Sequence, residues 1–312
     1  MQLNIKSKKG QVFTLFAIAM IVLFFVSYEI YSIVQDRQAI RTRISTMDSF
    51  LGSLEKSMER ELYITGFRTL FLAEDYIART GNYVSDVNAL FSEAFFSGIV
   101  YGNASEILIG ARYNDLVNST NEKAGKINVN VSFGNPEFFV SQEDPWNIVV
   151  NLRFNLTMRD KGKALAYWQK QEHIKAYVSI EGFEDPLYIV NTRAMVAYKI
   201  NKTLYDGTYA SGTSTANLTL HLQNHYFAES SDAPSFLKRM AGSLEADENG
   251  IESLVDLPLL SSQGIQVQQK SAVDHVYFSA GNPAYSSIAG MPSWFRLDSA
   301  HLAKYNVTQL AS

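Results

Sequence analysis

The sequence predicts an α+β protein: a long N-terminal helix that is transmembrane first and a stalk afterwards, short helices, then an antiparallel β-rich ectodomain. Three observations carry this. No charge interrupts residues 10–28, a heptad of apolar residues follows, and beyond Gly125 the apolar period changes to two. The 312 residues are 46% hydrophobic and 19% charged, a folded composition with ample material for a core.

The apolar run comes first. Val12–Val26 reads VFTLFAIAMIVLFFV, and about 20 such residues cross ~30 Å of hydrocarbon. A soluble core helix of this length would show a polar face. Lys6, Lys8 and Lys9 precede the run, so the N-terminus is expected in the cytoplasm and the bulk outside the cell membrane, single-pass. Ala17-Ile18-Ala19 has the form of a secretory cleavage site, but only Val12–Phe16 stands before it. That is too short for a signal-peptide core, so the helix is expected to stay on the chain. The expected organisation is a basic leader at 1–10, the transmembrane helix at 11–34, a stalk and further helices at 35–125, and the extracellular domain at 126–312.

Lys8-Lys9-Gly10-Gln11, followed at once by the apolar run, resembles the class III signal of archaeal type IV pilin-like surface proteins. The resemblance implies a prepilin peptidase that cuts between Gly10 and Gln11 on the cytoplasmic side. The hydrophobic helix would then remain on the mature chain, in the membrane or packed against other pilin-like subunits. One position departs from the pattern: many pilins carry glutamate at the fifth mature residue, which is Leu15 here, and the first acid is Glu29.

The stalk is read from Ile40, Ile44, Met47, Leu51, Leu54 and Met58, spaced 4, 3, 4, 3, 4. Such a stripe either packs on the chain's own globular part or makes a coiled-coil or filament contact. Gly66 is expected to interrupt or bend this helix, with a second helical stretch at 67–79 closed by Thr80-Gly81-Asn82 and a third at 84–96 ending near Gly98. Leu70, Phe71, Leu90, Phe91, Phe95 and Phe96 are the expected core of these helices.

Beyond Gly125 apolar residues alternate with polar ones at 127–133, 146–158, 174–180 and 218–222, the pattern of half-buried antiparallel strands. Weaker strands are expected at 187–190, 195–199, 265–268 and 273–278, a short helix at 234–240, and a terminal helix after Asp298-Ser299. Asn-x-Ser/Thr sequons stand at Asn103, Asn118, Asn130, Asn155, Asn201, Asn217 and Asn306. Asn130, Asn155 and Asn217 fall on the polar phase of an alternating segment, where a glycan would point to solvent. The reading is a glycoprotein of an archaeal or eukaryotic cell surface. Ser179–Tyr188, Gly250–Val255 and Gly290–Phe295 are similar to segments of uncharacterised archaeal surface proteins that carry an N-terminal pilin-type helix.

Chemistry is sparse. No basic stripe is present to track phosphates, so nucleic acid is not an expected partner. Zero cysteines exclude disulfides and thiolate metal sites. His221 and His225 have ligand spacing for a helix, but the local pattern is that of a strand, which places them about 13 Å apart. Glu245, Asp247, Asn249 and Asp256 copy part of the oxygen-ligand spacing of a calcium loop, with Gly250 at the turn; an acidic Asn-Gly turn explains the same residues. Asp185 before Pro186 reads as a cap. No cofactor and no catalytic residue is indicated. The expected role is a structural or adhesive surface protein, pilin-like and able to self-associate through its helix. The alternatives are a membrane-tethered binding module for a ligand or envelope polymer, or a tethered hydrolase.

Overall fold

The computed structural model describes residues 8–162 and 166–312, with side chains from Val12 onward. Residues 1–7 of the basic leader therefore lie outside the described residues, and Gly10 and Gln11 are described as helical backbone alone. The fold is α+β, with a long N-terminal helix, short helices and antiparallel sheets.

Helix α1 runs without a break from Lys8 to Thr80, 73 residues. The interruption expected at Gly66 does not occur. A Cβ at this position would stand 2.5 Å from Val150 Cγ2 and 3.0 Å from Val178 Cγ2. The glycine is there to let the helix and the sheet approach, at a helix-propensity cost of about 1 kcal/mol. Beyond it Thr69, Leu70, Ala73 and Ile77 continue the buried face. Phe71 is exposed, contrary to the core expected of it. The helix ends where the sequence indicates: Gly81 takes φ 67° and its N–H donates to Ile77 O at 2.8 Å.

Helix α2 (Val87–Ser97) is capped by Asp86 and terminated by left-handed Gly98. It buries Leu90, Phe91 and Phe95. Strands β1 (Ile99–Val100) and β2 (Asn103–Ala104) form a small hairpin before α3 (Tyr113–Lys126). Three long strands follow, β3 (Val129–Asp144), β4 (Asn147–Asp160) and β5 (Tyr167–Ser179), hydrogen-bonded in that order. Only Pro145 and Trp146 separate β3 from β4, a connection that allows antiparallel pairing alone. On β4 Ile148, Val150, Leu152, Phe154, Leu156 and Met158 are all buried, as their alternation predicts.

The rest of the chain is built of small pieces: α4 (Pro186–Thr192), α5 (Ala216–Gln223), β6 (Phe227–Glu229), α6 (Phe236–Met240), β7 (Ile251–Ser253), α7 (Leu257–Ser262), α8 (Asp274–Tyr277), β8 (Tyr285–Ser287) and β9 (Arg296–Asp298). β6 pairs antiparallel with β7, and β8 with β9. Here several expectations fail. The segments at 187–190, 218–222 and 273–278 are helices α4, α5 and α8, not strands. In α5 the apolar residues are two apart, yet Leu218, His221 and Leu222 form the buried face while Leu220 is exposed. That is the helical i, i+3, i+4 set, with histidine in a core position. The segment at 195–199 contributes only a single bridge between Lys199 and Glu184, and 265–268 is irregular. No α-helix follows Asp298; the chain turns through residues 299–306.

Two compact units divide the chain. One takes Met1–Glu55, Thr120–Ser132 and Leu156–Lys170; the other takes Lys56–Ser119, Phe133–Asn155 and Gln171–Ser312. The first buries Met47, Leu54, Ala124, Val129, Val131, Leu156 and Met158. Its Arg43 pairs with the buried Asp160 at 2.6 Å and donates to Asn128 O at 2.8 Å. The second carries an apolar cluster of Tyr209, Leu218, Leu222, Ala228, Leu254, Val273, Phe295, Leu297, Tyr305 and Val307.

Candidate functional site

Two features stand apart from ordinary packing. The first is on α1. Every large apolar side chain from Val12 to Val34 is exposed, and this stretch is long and apolar enough to cross a membrane. Twenty-three helical residues at 1.5 Å each span about 35 Å. From Met47 the character changes: Met47, Leu54, Met58 and Leu62 are buried, so the later part of the heptad stripe packs on the protein's own fold while Ile44 stays exposed.

The second feature is a pair of buried polar clusters in the larger unit, and neither is visible as a motif. Arg239 on α6 is fully buried and holds Asp185 at 2.6 Å and Asp274 at 3.0 Å. Its guanidinium also donates to the carbonyls of Ile251 and Pro234. Asp185 caps α4 through Leu187 N, as its place before Pro186 suggests, and Asp274 accepts from Ser253 N and Oγ. Burial pushes the Asp185 carboxyl up to about 6 against the pull of Arg239. Asp274 is equally desolvated, but Arg239 and His275 outweigh this and hold it at about 2. The cluster therefore links α4, α6, β7 and α8 around one cation.

The other cluster joins β7, α8 and the turn after β9. Glu252, His275 and His301 each bring one potential ligand atom within 4.8 Å of the others, and all three residues are buried. His301 Nδ1 lies 2.7 Å from Asp298 Oδ1, and Ser271 Oγ donates to Asp298 Oδ2 at 2.7 Å. Glu252 Oε1 accepts from Tyr305 OH at 2.8 Å and pairs with Lys304 at 2.9 Å. The inward atoms differ: Glu252 Oε2 and His301 Nε2 are buried and meet each other as an ion pair at 3.3 Å, without a well-formed hydrogen bond. Burial opposes a charged imidazole, but the Asp298 and Glu252 carboxylates raise His301 to about 10. A hydrolytic triad needs the imidazole between hydroxyl and carboxylate. Here the Asp298 carboxylate stands between Ser271 and His301, so the arrangement does not activate the serine.

The residues singled out in the sequence are placed elsewhere. Asn103, Asn118, Asn130, Asn155, Asn201 and Asn306 are exposed; Asn130 and Asn155 sit on strands as expected. Asn217 is on helix α5, half-buried, with its amide donating to Thr208 O at 2.8 Å. The calcium-like residues hold different partners. Asp247 accepts from Asn249 N and Ser235 Oγ and pairs with Lys238 at 3.3 Å, while Asp256 caps α7 through Leu259 N. Asn249 donates to Gln142 O at 3.1 Å, and Glu245 is exposed. Gly250 is not a calcium-turn glycine but a close-packing one: a Cβ there would fall 2.0 Å from Ala233 O. His221 and His225 belong to separate contacts, His221 against Tyr209 and Thr203, His225 stacked on Tyr198.

Sequence reasoning missed Glu252, His275, His301, Asp298 and Arg239. The one available signal was Glu252, an acid at a position that otherwise reads as apolar. A cleft of about 410 Å³ opens on the same unit, lined among others by Trp294, Arg296, Gln268, Gln269 and Ser293. No protein-family model matches the chain, and comparison with curated proteins and with solved structures likewise gives no significant match.

Proposed function

We propose that this chain is a pilin-like surface protein, anchored in the cell membrane by residues 12–34 of α1 with its N-terminus in the cytoplasm and its folded part outside. The observation that carries the reading is the division of labour along one unbroken helix. Its first stretch exposes every large apolar side chain it carries, while its later stretch buries Met58, Leu62, Leu70 and Ala73 in the protein's own fold. An apolar surface of that extent needs lipid or the equivalent helix of another subunit to cover it. Exposed sequons fit an extracellular location. The role is structural or adhesive, with self-association through α1.

Mass spectrometry of the N-terminal peptide from native host membranes tests this. A chain beginning at Gln11 supports prepilin processing and assembly. A chain beginning at Met1 removes the pilin reading and leaves a signal-anchored protein.

A tethered binding module is the second reading, and the Trp294 cleft favours it. An aromatic face with amide and guanidinium groups beside it suits a polar polymer with apolar faces, such as a glycan. Quenching of tryptophan fluorescence by envelope polysaccharide, lost in Trp294→Ala, would support that role.

A further inference from the structure

We propose that Glu252, His275 and His301 bind one divalent transition-metal ion of the zinc class. This rests on the buried cluster alone and is independent of how the chain is anchored or assembled.

The donor set is the first argument. Two imidazole nitrogens and one carboxylate oxygen form the three-ligand set that protein zinc sites use, and imidazole selects zinc-like ions over magnesium or calcium. Spacing is the second. With bonds of about 2.0–2.1 Å, two ligands of a tetrahedral ion stand about 3.3 Å apart. Glu252 Oε2 and His301 Nε2 are 3.3 Å apart.

Unmet hydrogen-bonding capacity is the third. Glu252 is 0% and His301 4% exposed, and the two atoms that face each other meet as an ion pair at 3.3 Å without a well-formed hydrogen bond. Buried hydrogen-bonding capacity left unmet costs about 1–3 kcal/mol, and one ion between the two atoms would satisfy both.

The outer contacts are the fourth. His301 Nδ1 is held by Asp298, which is itself held by Ser271. This carboxylate–histidine relay fixes the ring so that Nε2 faces inward, the usual support of a ligating histidine. Glu252 is oriented in the same way by Tyr305 through its other oxygen.

The ion would fasten the turn that carries His301 to β7 and α8, which Arg239 and Asp274 already link to each other. β7 is three residues long, α8 four, and the turn that carries His301 has no helix. With no cysteine in the chain, no disulfide is available for the task.

The test uses the full-length chain, purified in detergent through a tag without histidines, loaded with zinc and gel-filtered. Elemental analysis should find about one zinc per chain. Cobalt substituted for zinc should give the visible absorption of a low-coordinate nitrogen/oxygen site. His275→Gln and Glu252→Gln should retain at least roughly tenfold less metal, and Asp298→Asn should weaken affinity about 10–100-fold. His173→Gln, in the sheet, should bind as the wild type does. Should a ligand variant not fold, the wild-type cobalt spectrum decides alone. The proposal is overturned if the wild type keeps no zinc and gives no cobalt absorption. It is equally overturned if folded His275→Gln and His301→Gln both keep the full wild-type content. The cluster would then be a metal-free ion pair of His301 with Glu252 and Asp298.

Discussion

Replacing Arg239 with methionine would remove the cation that stands between Asp185 and Asp274. All three side chains are fully buried, so water cannot take over. Arg239 makes two short contacts to Asp274, one to Asp185 and two to backbone carbonyls. Methionine fills much of the volume, so the loss is electrostatic and not a cavity. Stranding one side of a buried ion pair costs about 3–5 kcal/mol. Domain stabilities are about 5–15 kcal/mol, so this is about a fifth or more of the whole. At about 3 kcal/mol per molar urea, the unfolding midpoint should fall by about 1–1.7 M. Urea titration of the full chain in detergent, followed by tryptophan fluorescence, measures it.

The pH dependence carries the finer test. Without the cation both carboxyl groups bind protons more readily in the folded than in the unfolded state. The deficit is then smallest at low pH and grows as pH rises. A variant within about 0.3 M of the wild-type midpoint, or a deficit that grows as pH falls, would refute the reasoning.

Gly66→Ala gains about 1 kcal/mol of helix propensity but forces a methyl to 2.5 Å from Val150, an overpacking cost of about 1–3 kcal/mol. A lowered Tm is expected, whereas Gly52→Ala, with nothing within 4 Å, should raise it. The half-buried Glu74 carboxyl is pushed up to about 8 by burial, offset in part by Glu184 N, with the Glu184 and Asp185 carboxylates raising it and Lys199 lowering it. Its folded value lies above the unfolded 4.5, so it contributes stability at low pH that is lost as pH rises towards 8. Glu74→Gln should therefore flatten the Tm profile between pH 5 and 8, and a profile as steep as wild type would exclude Glu74 as its source. Glycopeptide mass spectrometry of host membranes should find Asn217 unmodified, because its amide is spent on Thr208 O, and glycans on the exposed Asn130 and Asn155; a glycan on Asn217 would contradict this.

How much could be read from the sequence follows from how regular each signal is. The apolar run and the β4 alternation each extend over more than a dozen residues, and both elements are present. Gly66 misled because a helix-breaking residue and a close-packing residue look alike until the partner surface is known. In α4, α5 and α8 the segments have four to eight residues, too few for period two to be told from period 3.6. Short caps were legible where the chemistry was local, as at Asp185 and Gly98. The buried clusters were not, because their members come from positions 185, 239, 252, 274, 275, 298 and 301. No spacing rule connects such positions before the chain is folded.

The two clusters are also not independent, and β7 explains why. Successive residues of a strand face opposite sides. Glu252 points to His301 and Tyr305, while Ser253 binds Asp274 through both its N–H and its hydroxyl. On α8 the neighbours Asp274 and His275 divide in the same way, one to Arg239 and one to the histidine pair. All four residues are buried, so each face of this short strand carries a polar contact. Polar pairing therefore adds to the buried Ile251 in setting the register of β7. A shift of one residue would place Glu252 against Asp274 and Ile251 against His301, or in the other direction Ser253 against His301 and Leu254 against Asp274. The cost of either shift, two buried groups mispaired at once, helps to fix β7 against α8 in a region with few long elements.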